Sequence, residues 1–399
     1  MNFIFISPQF PKSYWNFCDR LRRNGVNVLG IGDTPYNELD QNVKNSLNEY
    51  YKVNNMENYD EMFRAVAFFS FKYGKIDWLE SNNEYWLEQD ARLRTDFNIT
   101  TGVSAEAIGA FKSKEAMKAY YEKAGVPTAR YHIVSDYDSN KAFTDLVGYP
   151  VIAKPNVGVG ANDTYRLDSD EDLRKFHENH PSVPYIMEEF ITGNIYSYDA
   201  ITDKDAGIIF ETMTVWPPSI ADIVNKGLDL TYYTVGGPVP EKFRTVGRNT
   251  VRAFDVRSRF VHMEFFCLTK AKPGLGEVGD FVGLEVNMRP AGGYTPDMYN
   301  FAGSIDVYQI WADMVAFNES RQNMDLEKFY CVYASQRDGH PHVHSHEEIL
   351  ARYGGNMVMC DRIPEVLAAA MGNQMYTAKF KTKDETEEFI RFVTDRTGD

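Results

Sequence analysis

The sequence predicts a mixed α/β protein, α+β in part, in which a small parallel sheet is followed by mainly antiparallel strands. Residues 1–74 alternate strand, helix, strand and helix, the order that builds a parallel α/β unit. Near Pro127 the pattern changes from helix-rich to strand-rich, which indicates a domain boundary. At 399 residues the chain is long enough for two or three domains and a large buried core.

The first domain is predicted to contain two buried strands and two helices. Asn2 to Ile6 and Val26 to Ile31 are the apolar runs that predict the strands. Between them, apolar residues recur at helical spacing from Tyr14 to Leu21, and a second helix is expected between Asn58 and Gly74. No GxGxxG motif follows the first strand, so we expect a substrate platform or a packing domain rather than a dinucleotide site.

The next elements predict a compact α+β unit. Helices are expected over Glu84 to Phe97, behind Ser104 and behind Ser113. From Arg130 onward, strands alternate with two helices, and a buried strand delivers Lys154 to the start of a glycine loop. Two helices on a mostly antiparallel sheet would form this unit.

The remaining elements predict further strands and three helices. Trp216 to Pro240 is rich in Pro and Gly, which is typical of a long loop that gates a site. Ser304 is expected to begin a core helix that runs through Phe317, and Thr382-x-x-Glu385 to open a terminal helix after a strand pair and a His-rich run. The other expected elements are strands at 195–202, 208–214, 261–268 and 281–287 and a helix at 242–254.

The composition excludes several classes of protein. A net charge of −15 disfavours a broad nucleic-acid surface, which needs a basic face. The four cysteines are far apart and form no CxxC pair, which argues against a disulfide framework or a zinc knuckle and indicates a reducing compartment. We find no signal peptide and no stretch of transmembrane length, so the sequence predicts a cytoplasmic protein without a membrane partner.

Two strands near residue 270 carry a candidate metal site. Strand side chains alternate between faces, so His262 shares one face with Glu264, and Glu285 shares one with Asn287. If the strands are neighbours, Glu264, Glu285 and Asn287 converge, and their oxygens suit Mg²⁺. The alternative is a solvated strand face of alternating charge. The apolar residues around the carboxylates disfavour that alternative, because unpaired buried carboxylates are costly.

Two lysines are candidates for binding phosphate. Lys154 ends an apolar strand and precedes a loop with Gly158 and Gly160, whose backbone N–H groups could surround an anion. Lys114 lies in the first turn of a helix, where the helix dipole disfavours a cation unless that cation reaches an anion. The alternative for Lys154 is a solvated strand end.

Taken together, these motifs resemble the ATP-grasp superfamily, most closely its carboxylate–amine ligase branch, over roughly residues 1 to 320. The motifs occur in the order Lys114 before Gly125-Val-Pro127, Pro150-Val-Ile-Ala-Lys154-Pro with its glycine loop, Met187-Glu-Glu-Phe-Ile-Thr-Gly193 with Tyr196-Ser-Tyr-Asp199, His262-x-Glu264, and Leu284-Glu-Val-Asn-Met-Arg289-Pro. The resemblance implies an ATP-grasp fold with a Rossmann-like parallel α/β domain at 1–112, a small α+β lid at 113–200 and a larger antiparallel core at 201–324. The role of residues 325–399 is left open.

The resemblance also implies roles for individual residues. Lys114 and Lys154 would hold the ATP phosphates, and Arg289, with Lys154, would act in catalysis on the acyl phosphate. Glu264, Glu285 and Asn287 would bind two Mg²⁺ ions, for which Mn²⁺ could substitute. The remaining nucleotide contacts would come from Gly158, Gly160, Asn162, Glu188, Glu189, Phe190, Ile191 and Leu284.

The implied activity is ADP-forming ligation, in which a small carboxylate is phosphorylated and an amine then displaces phosphate. The partners would be small-molecule substrates, with amino acids as a fair guess; a homodimer is one option for the assembly. Alternatives are a biotin-carboxylase-like enzyme that activates bicarbonate and a non-catalytic nucleotide-binding module. Two departures from the family pattern bear on nucleotide binding, namely Ile195 where a ribose-binding glutamate is usual and Ala161 where a serine is usual.

Two further motifs resemble binding sites, but their sequence context favours a structural role. Gly274-Leu-Gly-Glu-Val-Gly279 matches GxGxxG, but it joins two predicted strands and is expected to be a hairpin loop. His340, His342, His344 and His346 resemble a metal tag. Because Ser345-x-x-Glu348 is a capping box, His346 is expected to start a helix and the other three to lie in a solvated loop.

Overall fold

The first domain is a four-stranded parallel sheet with helices packed against it. A computed structural model describes residues 1–158, 163–217 and 227–397. The strand order is β3-β2-β1-β4, and every pairing is parallel, as predicted. The elements are β1 (Asn2–Ile6), α1 (Trp15–Arg23), β2 (Asn27–Gly32), α2 (Gln41–Ser46), β3 (Glu49–Lys52), α3 (Tyr59–Tyr73) and β4 (Trp78–Glu80).

Local chemistry explains the boundaries of these elements. Asn58 caps α3 by accepting hydrogen bonds from the backbone N–H groups of Asp60 and Glu61, as the sequence predicted. The strands β3 and β4 and the helix α2 were not predicted. β3 and β4 have four and three residues, too few for alternation or an apolar run to stand out.

A helical segment connects the first domain to a small antiparallel sheet. Ser113 caps the third of its helices through the backbone N–H of Ala116, as predicted. These helices are α4 (Leu87–Asp96), α5 (Ala105–Ile108) and α6 (Lys114–Lys123), with single 3₁₀ turns at Glu84–Trp86 and Gly109–Phe111. Another 3₁₀ turn, at Tyr36–Glu38, lies in the first domain between β2 and α2.

The small sheet contains the first part of the predicted α+β unit, whereas the strands expected at 195–202 and 208–214 belong to the large sheet. The small sheet has the order β5-β8-β6-β7, all antiparallel, and its apolar face packs on the two helices through Phe143, Leu173 and Phe176. The elements are β5 (Tyr131–Ile133), α7 (Tyr137–Val147), β6 (Val151–Pro155), β7 (Tyr165–Leu167), α8 (Asp170–Asn179) and β8 (Tyr185–Glu189).

The large sheet has eight strands in the order β13-β12-β9-β10-β11-β14-β16-β15, and each neighbouring pair is antiparallel. The strands are β9 (Gly193–Thr202), β10 (Ile208–Trp216), β11 (Thr231–Val235), β12 (Arg259–Leu268), β13 (Phe281–Asn287), β14 (Tyr330–Gln336), β15 (Met357–Arg362) and β16 (Gln374–Phe380). The helices are α9 (Glu241–Ala253), α10 (Thr295–Gly303), α11 (Val307–Phe317), α12 (His346–Tyr353), α13 (Glu365–Met371) and α14 (Lys383–Thr394).

The C-terminal residues belong to this large sheet. β14, β15 and β16 all come from residues 325–399 and extend the sheet from β11. The strand β9, which crosses the predicted boundary at residue 200, lies in the large sheet along its whole length. No helix within the described ranges is both long and apolar enough to cross a membrane.

Two sequence predictions in this part of the chain were wrong. Ser304 does not begin a helix: it has φ 53° and ends α10, and the side chain of Asp306 caps α11 by accepting from the N–H of Gln309. The predicted loop at residues 216–240 contains β11, which is held on both edges by β10 and β14. Residues 218–226 of that loop lie outside the described ranges.

Candidate active site

Two neighbouring strands bring the predicted carboxylates together. In the antiparallel pair β12–β13, Glu264 lies directly opposite Glu285, and His262 lies opposite Asn287. The loop of Gly274 to Gly279 joins the two strands as a hairpin, as predicted, so their proximity follows from the local chain path. All four of these strand residues line one cavity of about 520 Å³.

The same cavity collects most of the other predicted site residues. The cavity is also lined by two lysines, by a residue of β13, by the residue that follows the Asn287–Met288 step, and by residues 188–191 at the end of β8, which we call the β8 segment. These residues are Lys114, Lys154, Leu284, Arg289, Glu188, Glu189, Phe190 and Ile191. Gly158 accepts a hydrogen bond through its carbonyl from Lys114 Nζ at 3.2 Å. Gly160, Ala161 and Asn162 lie outside the described residues, whereas Thr164 lines the cavity.

Lys114 connects the glycine loop to the candidate metal site. It is the first residue of α6, and its Nζ lies 3.4 Å from Glu285 Oε1. Lys114 is almost fully buried, and its positive charge compensates the negative charge of Glu285 in a cavity where water does so only in part. An anion that entered here would meet a cation already oriented towards it.

Glu188 lies between two lysines. Its carboxylate pairs with Lys154 at 2.7 Å and with Lys118, and all three side chains are buried. Burial by itself would raise the pKa of Glu188, but the charges of Lys154 and Lys118 outweigh burial and lower that pKa to about 2. The Glu188 carboxylate is thus already paired with two lysines. The predicted contact between Glu188 and an adenine ring stays a prediction.

Lys118 was missed by the sequence analysis. It lies four residues after Lys114 on α6, and residues at that spacing share one face of a helix. That spacing was the signal that could have identified it.

The end of β8 is tied to the β12–β13 hairpin. Lys272 in the hairpin donates from Nζ to the carbonyl oxygen of Phe190 at 2.7 Å and pairs with Glu189 at 2.9 Å. Arg130 pairs with the same Glu189 carboxylate at 2.8 Å. Burial would raise the pKa of Glu189, yet these cations and a backbone N–H lower it. Lys272 could not be identified from the sequence, because its partners lie about eighty residues away.

A hydrogen-bonded chain reaches Glu264 from the centre of the large sheet. His262 bonds to Asp199 Oδ1 through Nδ1 at 2.6 Å and to Glu264 Oε1 through Nε2 at 3.0 Å. Ser197 Oγ donates to the other Asp199 oxygen at 2.7 Å, and Trp216 Nε1 donates to Ser197 at 3.3 Å. Burial would lower the pKa of His262, but Asp199 and Glu264 raise it to about 9. The chain therefore fixes the orientation of Glu264.

Arg289 lies where the large sheet meets the first domain. Its Nη2 donates to Asn287 Oδ1 at 3.3 Å, and its Nε lies 3.4 Å from Glu84 Oε2. Glu84 is buried and also pairs with Lys112 at 3.1 Å. The Arg289 guanidinium thus lines the cavity beside the side-chain amide of Asn287, and its position is stabilised by the carboxylate of Glu84.

The side chains of the β12–β13 strand pair supply only part of the oxygen ligands that a hard cation requires. Within the described residues, no group of three or more His, Cys, Asp or Glu side chains is arranged to hold a metal ion. Glu264, Glu285 and Asn287 supply two carboxylates and one amide oxygen on adjacent strands. Such a set suits Mg²⁺, which keeps several waters and takes further oxygens from phosphate.

Three residues of the histidine run have partners within the fold. His342 Nε2 bonds to Asp229 at 2.9 Å, His344 stacks on Phe392, and His346 Nδ1 bonds to the Tyr376 hydroxyl at 3.0 Å. The expectation of a solvated loop was therefore wrong for His342 and His344, because Asp229 and α14 pack against them. The predicted capping box at Ser345 is present, and His346 is the first residue of α12.

Comparison with known proteins supports the fold prediction. No protein-family model matches the chain. The structure of an L-amino acid ligase from Bacillus licheniformis is similar, with a TM-score of 0.70, 14% identity and coverage of 98% of this chain and 96% of that chain. A biotin carboxylase from Campylobacter jejuni in complex with a β,γ-ATP compound has a TM-score of 0.67 at 14% identity, covering 98% of this chain and 90% of that chain.

The curated sequences give a weaker match. An L-arginine-specific L-amino acid ligase of Bacillus subtilis is 24% identical over 226 residues, which are 53% of this chain and 53% of that protein. The chain thus spans about half the length of this relative. The two structural likenesses confirm the predicted ATP-grasp fold.

Proposed function

We propose that the protein is an ATP-dependent, ADP-forming ligase that phosphorylates a small carboxylate and joins the acyl group to an amine. The observation that carries this proposal is the direct opposition of Glu264 and Glu285 in a cavity that is also lined by Lys114, Lys154 and Arg289. Phosphoryl transfer to a carboxylate brings anions together, so catalysis depends on positioning and on neutralising charge. This cavity concentrates the groups that such a reaction requires.

Each group has a role in this proposal. Lys114 and Lys154 bind the phosphates of ATP together with Gly158, Gly160 and Asn162, and the β8 segment with Leu284 receives the base. Glu264, Glu285 and Asn287 hold Mg²⁺, or Mn²⁺ in its place, and two ions are proposed. The bound metal would neutralise charge on the transferred phosphoryl group. Arg289 orients the carboxylate and stabilises the acyl phosphate, and phosphate leaves when the amine attacks.

The charge arrangement favours catalysis over passive binding. In the cavity the two carboxylates are balanced by Lys114 and His262. A nucleotide-binding module needs cations for phosphate but has less use for a pair of facing carboxylates. The pair therefore supports a metal-assisted reaction.

A second candidate activity is phosphorylation of bicarbonate. It is favoured by the structural likeness to a biotin carboxylase. Incorporation of ¹⁴C-bicarbonate into free biotin, with ADP release, would support this candidate. Dependence of ADP release on an organic acid and an amine, without biotin, would exclude it.

The proposal also includes the location, the partners and the assembly of the enzyme. We place it in the cytoplasm, because all four of its cysteines are free thiols. Its partners are the carboxylate and the amine, and a homodimer is the assembly to test. The division into domains at 112, 200 and 324 stays a prediction.

The test is an ADP-release assay with ATP, Mg²⁺ and paired acids and amines. Wild-type protein is expected to release ADP with some pair, and Glu285→Gln to lower the rate more than tenfold. Glu277→Gln is a matched control, since this exposed glutamate lies on the hairpin between the same strands. Thermal unfolding of both variants checks the fold. Wild-type turnover in Glu285→Gln would contradict the metal role, and no ADP release with any pair would favour a non-catalytic module.

A further inference from the structure

Part of the cavity wall is apolar and lies beside the Arg289 turn. We call this part the side-chain chamber, and its lining residues come from three separate regions of the chain: Trp216, Leu230, Tyr232, Leu367, Ala370 and Met371. The last three belong to α13, in the segment whose role the sequence left open. The C-terminal extension therefore contributes directly to the candidate active site.

Two contacts fix the chamber next to the candidate catalytic groups. A Cβ added to Gly293 would lie 2.8 Å from Met371 Cε, so α13 packs directly on the glycine turn that follows Arg289. Trp216 donates to Ser197, which lies opposite Glu264 in the β12–β9 pair. A carboxylate held at Arg289 would consequently have its substituent next to this chamber.

The chamber offers rings and aliphatic groups but few free polar atoms. Trp216 stacks on Tyr232 with ring centroids 4.1 Å apart, and Tyr333 stacks on Tyr232 at 5.0 Å. The polar atoms of these rings have partners: Trp216 Nε1 donates to Ser197 Oγ, the Tyr232 hydroxyl bonds to Thr295 Oγ1 at 3.2 Å, and the Tyr333 hydroxyl donates to the Met371 carbonyl at 2.8 Å. None of the six lining residues is charged.

We propose that the chamber binds an apolar or aromatic side chain of the acid that is activated, so that the carboxylate substrate is a hydrophobic amino acid or a similar monocarboxylic acid. This inference rests on the proposed function. Burying an apolar side chain is favourable, whereas a charged side chain would lose its hydration without gaining an oppositely charged partner among the six lining residues. A guanidinium, which the arginine-specific relative must accept, finds no carboxylate among these lining residues.

The first test is the acid preference of the wild-type protein. ADP release is measured with L-leucine, L-methionine and L-phenylalanine against L-arginine, L-aspartate and glycine, each with the same amine panel. We expect kcat/KM to be at least tenfold higher for the apolar acids. ADP release that is equal or faster with charged acids or glycine would overturn this inference and leave the proposed function standing. No ADP release with any acid would instead count against the proposed function.

The second test changes the chamber itself. Ala370→Asp puts a carboxylate into the wall and is expected to raise KM for the apolar acids at least tenfold, to allow turnover of L-arginine, and to leave KM for ATP within twofold. Ala369→Asp is the control, since it makes the same change one position earlier on α13 at an exposed residue. Equal effects of both substitutions on the apolar acids would overturn the inference. The wild-type panel decides the question if Ala370→Asp does not fold.

Discussion

Glu264 and Glu285 are direct cross-strand neighbours in the antiparallel pair β12–β13. Like charges at opposed positions destabilise a sheet unless other groups compensate them. Here His262 lies 3.0 Å from Glu264, and Lys114 lies 3.4 Å from Glu285. The protein therefore maintains an arrangement that is costly for folding and useful for holding a divalent cation.

Removal of divalent cations tests this arrangement. We expect EDTA to abolish ADP release and added Mg²⁺ or Mn²⁺ to restore it, because the carboxylate pair then regains its counter-ion. Asn287→Ala should raise the Mg²⁺ concentration for half-maximal rate about tenfold, since it removes one oxygen ligand. Asn249→Ala on α9, a half-buried residue that does not line the cavity, serves as the control. An unchanged Mg²⁺ requirement in Asn287→Ala would contradict its role as a ligand.

Asp199 is predicted to position the metal-binding face without touching substrate. It is fully buried and bonds to both His262 and Ser197. Asp199→Asn should leave His262 free to turn away from Glu264 and raise the Mg²⁺ requirement by about tenfold or more. The matched control is Asp205→Asn, an exposed residue in the turn after β9. A lower rate with no change in Mg²⁺ requirement would indicate a merely structural role.

The buried pairing of Lys118 with Glu188 should appear in stability. Lys118→Met removes one of the two cations beside a buried carboxylate and should lower the free energy of unfolding by about 2 kcal/mol. Glu188→Gln alone should cost more, because it leaves the buried Lys118 and Lys154 without their shared carboxylate, and adding Lys118→Met should recover part of that loss. Urea denaturation measures both, with the exposed Lys123→Met on the same helix as control. Additive losses in the double variant would show that the two residues are not coupled.

Ile195 leads to a prediction about the nucleotide. This residue lines the cavity with Phe266 and Leu284, none of which accepts a hydrogen bond through its side chain. If the ribose lies here, losing its 2′-hydroxyl costs little, and dATP should support turnover within about threefold of ATP. Ile195→Glu should widen the difference to about tenfold in kcat/KM. Strong discrimination against dATP by the wild type would show that other groups hold the ribose.

Asp297 makes stability depend on pH. Burial raises the pKa of Asp297 to about 6, with Asp306 adding to the shift and the Tyr308 hydroxyl opposing it. The folded state then holds the proton more tightly than the unfolded state, whose aspartate has a pKa of about 3.9. The contribution of Asp297 to stability is therefore complete below about pH 4 and falls as the pH rises through 6, by up to about 3 kcal/mol.

The difference between wild type and Asp297→Asn isolates this effect. Free energies of unfolding are measured by urea denaturation at pH 4, 5, 6 and 7. Wild type should lose stability relative to the variant over this range and level off above pH 6. A constant difference at all four values would show that Asp297 has an ordinary pKa in the folded protein.

Short-range signals explain why much of the fold could be predicted from the sequence. The caps at Asn58, Ser113, Ser345 and Thr382 all form as expected, because each depends on residues two or three positions away. The wrong prediction at Ser304 also reflects the use of short-range signals. Two capping residues, Ser304 and Asp306, compete there, and the left-handed conformation at Ser304 gives the cap to Asp306.

The sequence by itself determined the candidate metal-binding face. Alternation along β13 places Glu285 and Asn287 on one side, and the hairpin loop at residues 269–280 makes β12 its neighbour, so no distant contact is needed. Only the tertiary structure decided what surrounds that face. Lys118 with Glu188, Lys272 with Phe190, and Arg289 with Glu84 join residues that are far apart in the chain. Helical and strand periodicity describe one element at a time, whereas these pairs depend on how separate elements pack.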